Sequence, residues 1–96
     1  MVGISRFYPV SCARSVAEQK YIRAKLDLWK KLPESERRSI SETIMEIARG
    51  EVERSALEAV VIRSVSPRTA AERCRLDKGR VYQMQREFLE KVRLWP

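Results

Sequence analysis

Along most of the chain the apolar residues return at intervals of three and four, the spacing of one face of a helix. The first stretch lacks that period, and Pro9 with the small residues near it predicts an extended arm over 1–14. "SVAE" then reads as a capping box, with Ser15 at the N-cap and Glu18 three residues on. Behind it Ile22, Leu26 and Trp29 form a stripe flanked by Tyr21, Leu28 and Leu32, and Pro33 marks its end. Pro33 also suits the first turn of a second helix, with acidic Glu34 and Glu36 beside it. Ile40, Ile44, Ile47 and Ala48 supply that helix's inward face; Ser39 with Glu42 offers an alternative start, and Gly50 suits a C′ stop. A third helix turns Leu57, Val60, Val61 and Val65 inward, and Ser66 with Pro67 caps the next.

Two helix patterns then follow in quick succession in "SPRTAAERCRLDKGRVYQMQREF", residues 66–88. Ala70, Ala71 and Cys74 share one face of a helix from Pro67 to Cys74. Leu76 falls in the break, and Asp77 caps a helix starting at Lys78 on which Val81, Met84 and Phe88 point the same way. A steep, close crossing leaves no room for a side chain larger than Ala71. This order of small residues, turn leucine, valine and methionine is the packing skeleton of a helix-turn-helix over 67–88. The expected fold is all-α: one compact domain over 15–96, built of about five helices.

Composition narrows the function classes. Only three Gly and four Pro in 96 residues agree with helices around a single modest core. No run approaches the roughly 20 apolar residues of a membrane span. The opening "MVGISRFYPVSCA" also has no basic region ahead of an uninterrupted apolar stretch. No membrane is expected. The chain has no His and only two cysteines, Cys12 and Cys74, far apart. The usual zinc sets therefore cannot be assembled, a disulfide scaffold is not expected, and a reducing cytoplasm is the expected location. Lack of His also removes Ser-His-Asp and Cys-His catalysis, and no Ser-Lys pair has a recognisable spacing. Neither an enzyme nor a cofactor nor a metal is expected, and Cys74 and Met84 read as core filler.

Charge points to a partner. The formal net charge is +7, which favours nucleic acid or an anionic surface. Between Arg63 and Arg93 nine basic residues face four acidic ones, a net +5. The outer face of the helix from Lys78 carries Lys78, Gly79, Tyr82, Gln83 and Arg86, with Arg80 at its flank. Gln can pair bidentately with adenine, and Arg or Lys with guanine. Gly79 allows close backbone approach, and Tyr82 suits either a base or phosphate contact or packing on its neighbours. Arg68 and Arg73, on the preceding helix, suit phosphates. The expected partner is double-stranded DNA, weighed against the bland reading of a solvated basic face on an ordinary helix pair.

"RLDKGRVYQMQREF" resembles the recognition segment of the KorA (TrfB) plasmid repressors, which share a Leu-x-basic-Gly-x-Val-x-Gln run, and is similar in layout to the PapB-type regulators of fimbrial operons. The resemblance covers about 25 to 30 residues. It implies base reading by Lys78 and Gln83, with Val81 in the core. Arg75 stands where a turn glycine is usual, so the turn is either a residue longer or uses a non-glycine left-handed conformation. KorA-type repressors carry a dimerisation region after the DNA-binding unit, whereas here only residues 89–96 follow.

The leading expectation is a transcriptional regulator that represses its own or a neighbouring promoter. A homodimer is expected, because one recognition helix reads only a few base pairs. Its surface would involve the first helix, with Trp29 and Leu32, or the tail, with Leu89, Val92, Leu94 and Trp95. The alternatives are a basic adaptor or inhibitor that meets an acidic protein, and an accessory nucleoprotein of plasmid partition or transfer.

Overall fold

Ser15 starts the first helix in the way its spacing from Glu18 implies. Its Oγ accepts from the Glu18 N–H at 3.1 Å, while Glu18 Oε1 accepts from the Ser15 N–H at 3.2 Å. The computed structural model describes residues 10–94, so the arm expected over 1–14 lies largely outside the described residues, as does Trp95. Helix α1 spans Val16–Asp27, α2 Glu34–Ile47, α3 Glu51–Val61, α4 Pro67–Cys74 and α5 Lys78–Lys91. Among the described residues there is no strand. The fold is all-α.

Two boundaries differ from the sequence reading. Helix α1 ends at Asp27 and is followed by a 3-10 turn over Trp29–Lys31, in place of one helix reaching Pro33. Proline keeps the residue before it extended, and Leu32 indeed has φ −72° and ψ 147°. The chain tightens to meet that demand, with the Lys31 N–H bonded to the Leu28 carbonyl at 2.7 Å. The tightening turns Leu32 into the core and leaves Leu28 half exposed. Gly50 is the second correction. Helix α2 has already ended at Ala48, in extended conformation, and Gly50 with φ +96° is the N-cap of α3. A positive φ there lets the chain reverse between two helices only three residues apart.

The core gathers side chains from every helix, including Ile22, Leu26, Ile40, Ile44, Leu57, Val60, Met84 and Phe88. Helix α5 packs against α2, α3 and α4. Gln19 is buried on α1 and takes the place of a neighbouring strand for the incoming chain. Its Oε1 accepts from the Val10 N–H at 2.9 Å, and its Nε2 donates to the Val10 and Arg14 carbonyls at 2.8 and 3.1 Å. The chain before α1 also meets the end of α5. The Ala13 N–H donates to Glu90 Oε2 at 3.1 Å, and Arg14 Nη2 to the Val92 carbonyl at 2.7 Å. Residues 10–14 are thus bonded both to α1 and to the C-terminal segment.

Burial takes three of the four tail residues out of the expected dimer surface, the fourth, Trp95, lying outside the described residues. Leu89, Val92 and Leu94 are core residues here, at most 5% exposed, and Leu32 joins them at 7%. A side chain that already fills the interior of its own domain has little apolar area left for a partner.

Candidate nucleic-acid interface

Helix α4 begins where Ser66 Oγ accepts from the Thr69 N–H at 3.1 Å and Pro67 takes the first helical position. Its inward face is Ala70 and Ala71, both almost fully buried, with Cys74 half-buried. The helix ends on Arg75, whose φ of 56° and ψ of 43° are left-handed. The Leu76 N–H then closes onto the Ala71 carbonyl at 2.9 Å, and the Arg75 N–H onto Glu72 at 3.4 Å. These are the two bonds of a Schellman ending, built with arginine where glycine is usual. Of the two turns the sequence allowed, the left-handed one is used.

Asp77 restarts the chain as a helix, its Oδ2 accepting from the Arg80 N–H at 3.2 Å. A Cβ on Gly79 would lie 2.8 Å from that same oxygen. Glycine at 79 is therefore tied to the cap, whatever else comes near it. From here Val81, Met84 and Phe88 are completely buried, so one face of α5 is held by the core. Gly79, Tyr82, Gln83 and Arg86 fall within roughly 100° of one another on the opposite side, and all four are exposed. Lys78 is exposed at the first position of the helix, and Arg68 and Arg73 are exposed on α4. Arg68 makes only a loose ion pair with Glu72 at 3.8 Å, both side chains being largely exposed.

Arg80 departs from the expected set. Its side chain is only 20% exposed and turns toward α3, where Nη2 and Nε donate to Glu53 Oε1 and Oε2 at 2.8 and 3.1 Å. Nη2 also donates to the Ile47 carbonyl at 3.3 Å, at the end of α2, and Nη1 to Gln83 Oε1 at 3.3 Å. A planar guanidinium engaged on both edges is a clamp between helices, not a free cation for a phosphate. The hydrogen bonds from Arg80 hold the Glu53 carboxyl below the ordinary glutamate range, against the opposing effect of burial, and the Arg49 N–H and nearby positive charges reinforce them. Arg80 is correspondingly raised, chiefly by Glu53. Glu53 is the residue that sequence reasoning missed. It lies 27 positions before Arg80, so no local spacing links the two.

The structure therefore brings Lys78, Gly79, Tyr82, Gln83 and Arg86 to the outward side of one helix and takes Arg80 out of that group. Among the described residues no helix is long and apolar enough to cross a membrane. No protein-family model, curated protein or solved structure matches the chain.

Proposed function

We propose that the chain is a sequence-specific double-stranded DNA-binding regulator of transcription in which α4 and α5 act as a helix-turn-helix. The supporting observation is the division of α5. One side is fixed in the core by Val81, Met84 and Phe88, and the other presents Lys78, Tyr82, Gln83 and Arg86 to solvent. A helix locked along one side offers the other in a constant register, which major-groove reading demands. Glutamine and long cations are the side chains suited to base edges and phosphates, and the net charge of +7 supplies the long-range attraction. The resemblance of residues 75–88 to the KorA recognition segment points the same way. A small protein seated on promoter DNA excludes polymerase without further machinery, so repression is the proposed outcome and the cytoplasm the proposed location.

A homodimer belongs to the same proposal, since two half-sites multiply the few base pairs one helix can read. With Leu89, Val92 and Leu94 buried, the surface proposed for pairing is a groove of about 370 Å³ lined by Leu28, Trp29 and Ile62 together with Lys30, Lys31, Arg63 and one acidic residue, Asp27. Leu28 is 52% exposed there. The direct test is selection of bound fragments from a random duplex pool, followed by footprinting. One enriched sequence with a bounded footprint is expected. Uniform recovery of all sequences would favour the adaptor reading, because any basic surface binds DNA non-specifically.

A further inference from the structure

We infer that Glu53 and Arg80 are positioning residues for Gln83, fixing which way its side-chain amide faces outward. The inference rests on the DNA-reading role proposed for α5 and specifies how that face acquires selectivity.

An exposed glutamine is a poor reader by itself. Its terminal torsion is broad and nearly two-fold, so carbonyl and amino group exchange places at little cost. In this protein a chain of bonds removes that freedom. It starts on the backbone, where the Arg49 N–H donates to Glu53 Oε1 at 2.9 Å. Glu53 holds two nitrogens of Arg80, and the Ile47 carbonyl holds one of them a second time. The guanidinium plane is then fixed, and its remaining edge reaches one helical turn along α5 to Gln83 Oε1 at 3.3 Å. A donor at Oε1 favours the orientation that keeps the carbonyl against the clamp. Both Nε2 hydrogens and the second lone pair of Oε1 remain for an outside partner, and among the described residues no hydrogen bond uses Nε2. The plainer alternative is an ion pair that only ties α3 to α5, which would leave Gln83 indifferent to Glu53.

The test uses Glu53→Gln, which keeps shape and removes charge, on the duplex selected by the wild type and on a scrambled duplex. The affinity ratio between the two should fall about tenfold, within the discrimination of one bidentate contact. Affinity for the scrambled duplex should hold or rise, because a released Arg80 can reach phosphate. In a Gln83→Ala background the same substitution should leave the ratio unchanged. In the free chain, NMR relaxation of the Gln83 side-chain NH2 should show order in the wild type and loosening in Glu53→Gln. Arg80→Lys, which cannot bridge both partners, should reproduce the pattern if Glu53→Gln fails to fold. An unchanged ratio, an equal fall in the Gln83→Ala background, or an equally ordered amide in both proteins overturns the relay. A wild type with no sequence preference overturns the DNA-reading role instead, and the amide measurement then decides the relay alone.

Discussion

Arg75 is, with Ser64, one of two non-glycine residues that take a positive φ among the described residues. Its left-handed conformation was half legible: a non-glycine residue stood at the turn, but only the Leu76 bond back to Ala71 selects the tight ending over a longer one. Relief of the left-handed constraint in Arg75→Gly should raise stability by up to about 1 kcal/mol, the gain being partly offset by the greater freedom of glycine in the unfolded chain. Thermal melts of the two proteins measure it, and a lower melting temperature contradicts the assignment. Gly79 poses a similar question. Sequence reasoning gave it one role, room for DNA, while the structure adds the nearness of a Cβ to the capping oxygen of Asp77. Gly79→Ala therefore sets a gain in helix propensity against a disturbed cap, each about 1 kcal/mol. In an Asp77→Ala background only the gain remains. Alanine at 79 should then stabilise by about 1 kcal/mol, and should stabilise less when Asp77 is present. Equal effects in the two backgrounds would show that the cap and position 79 are independent.

At the scale of elements, what was legible was whatever rests on short-range chemistry. Ser15, Ser66 and Asp77 cap α1, α4 and α5 as their spacing implied, and the outward set on α5 followed from helical period alone. Arg80 did not, because its partner Glu53 comes from another helix, and the end of α1 did not, because a 3-10 turn breaks the stripe before Trp29. Ala71, which the sequence pattern assigns to the α4–α5 crossing, is 3% exposed. Ala71→Leu should overpack that crossing and cost on the order of 1–3 kcal/mol, with loss of DNA binding following the loss of fold. A variant that melts like the parent would mean the helices do not meet closely there. The α3–α5 clamp makes a prediction in pH. Since the folded-state pKa of Glu53 is depressed, its contribution is full above the unfolded glutamate value and is lost as pH falls through the folded one. The melting-temperature gap between wild type and Glu53→Gln should thus be widest near neutrality and close in acid. A gap independent of pH would remove charge from the account of the clamp.

For the whole molecule, the sequence suggested two dimer surfaces, and the fold buries Leu89, Val92 and Leu94 of one of them, Leu89 and Val92 continuing the helical stripe of Val81, Met84 and Phe88 into the core. A two-fold interface sets a patch against itself. Pairing through Leu28 and Trp29 would therefore bring Lys30, Lys31 and Arg63 of both copies near one another, three cations per copy against the single carboxylate of Asp27. Salt screens that repulsion, so dimerisation should tighten as ionic strength rises while DNA binding weakens. Sedimentation across a salt series checks this, and a monomer under all conditions, on DNA as well as free, would reject the dimer. The central claim is that α5 reads bases, and it is tested most directly by titrating Gln83→Ala and Arg68→Ala on selected and scrambled duplex at several salt concentrations. Gln83→Ala should lose about 1–3 kcal/mol on the selected duplex and little on the scrambled one. Arg68→Ala should weaken both alike and lower the salt slope by roughly one unit. Equal losses on both duplexes from Gln83→Ala would contradict the claim and make α5 a basic surface rather than a reader of sequence.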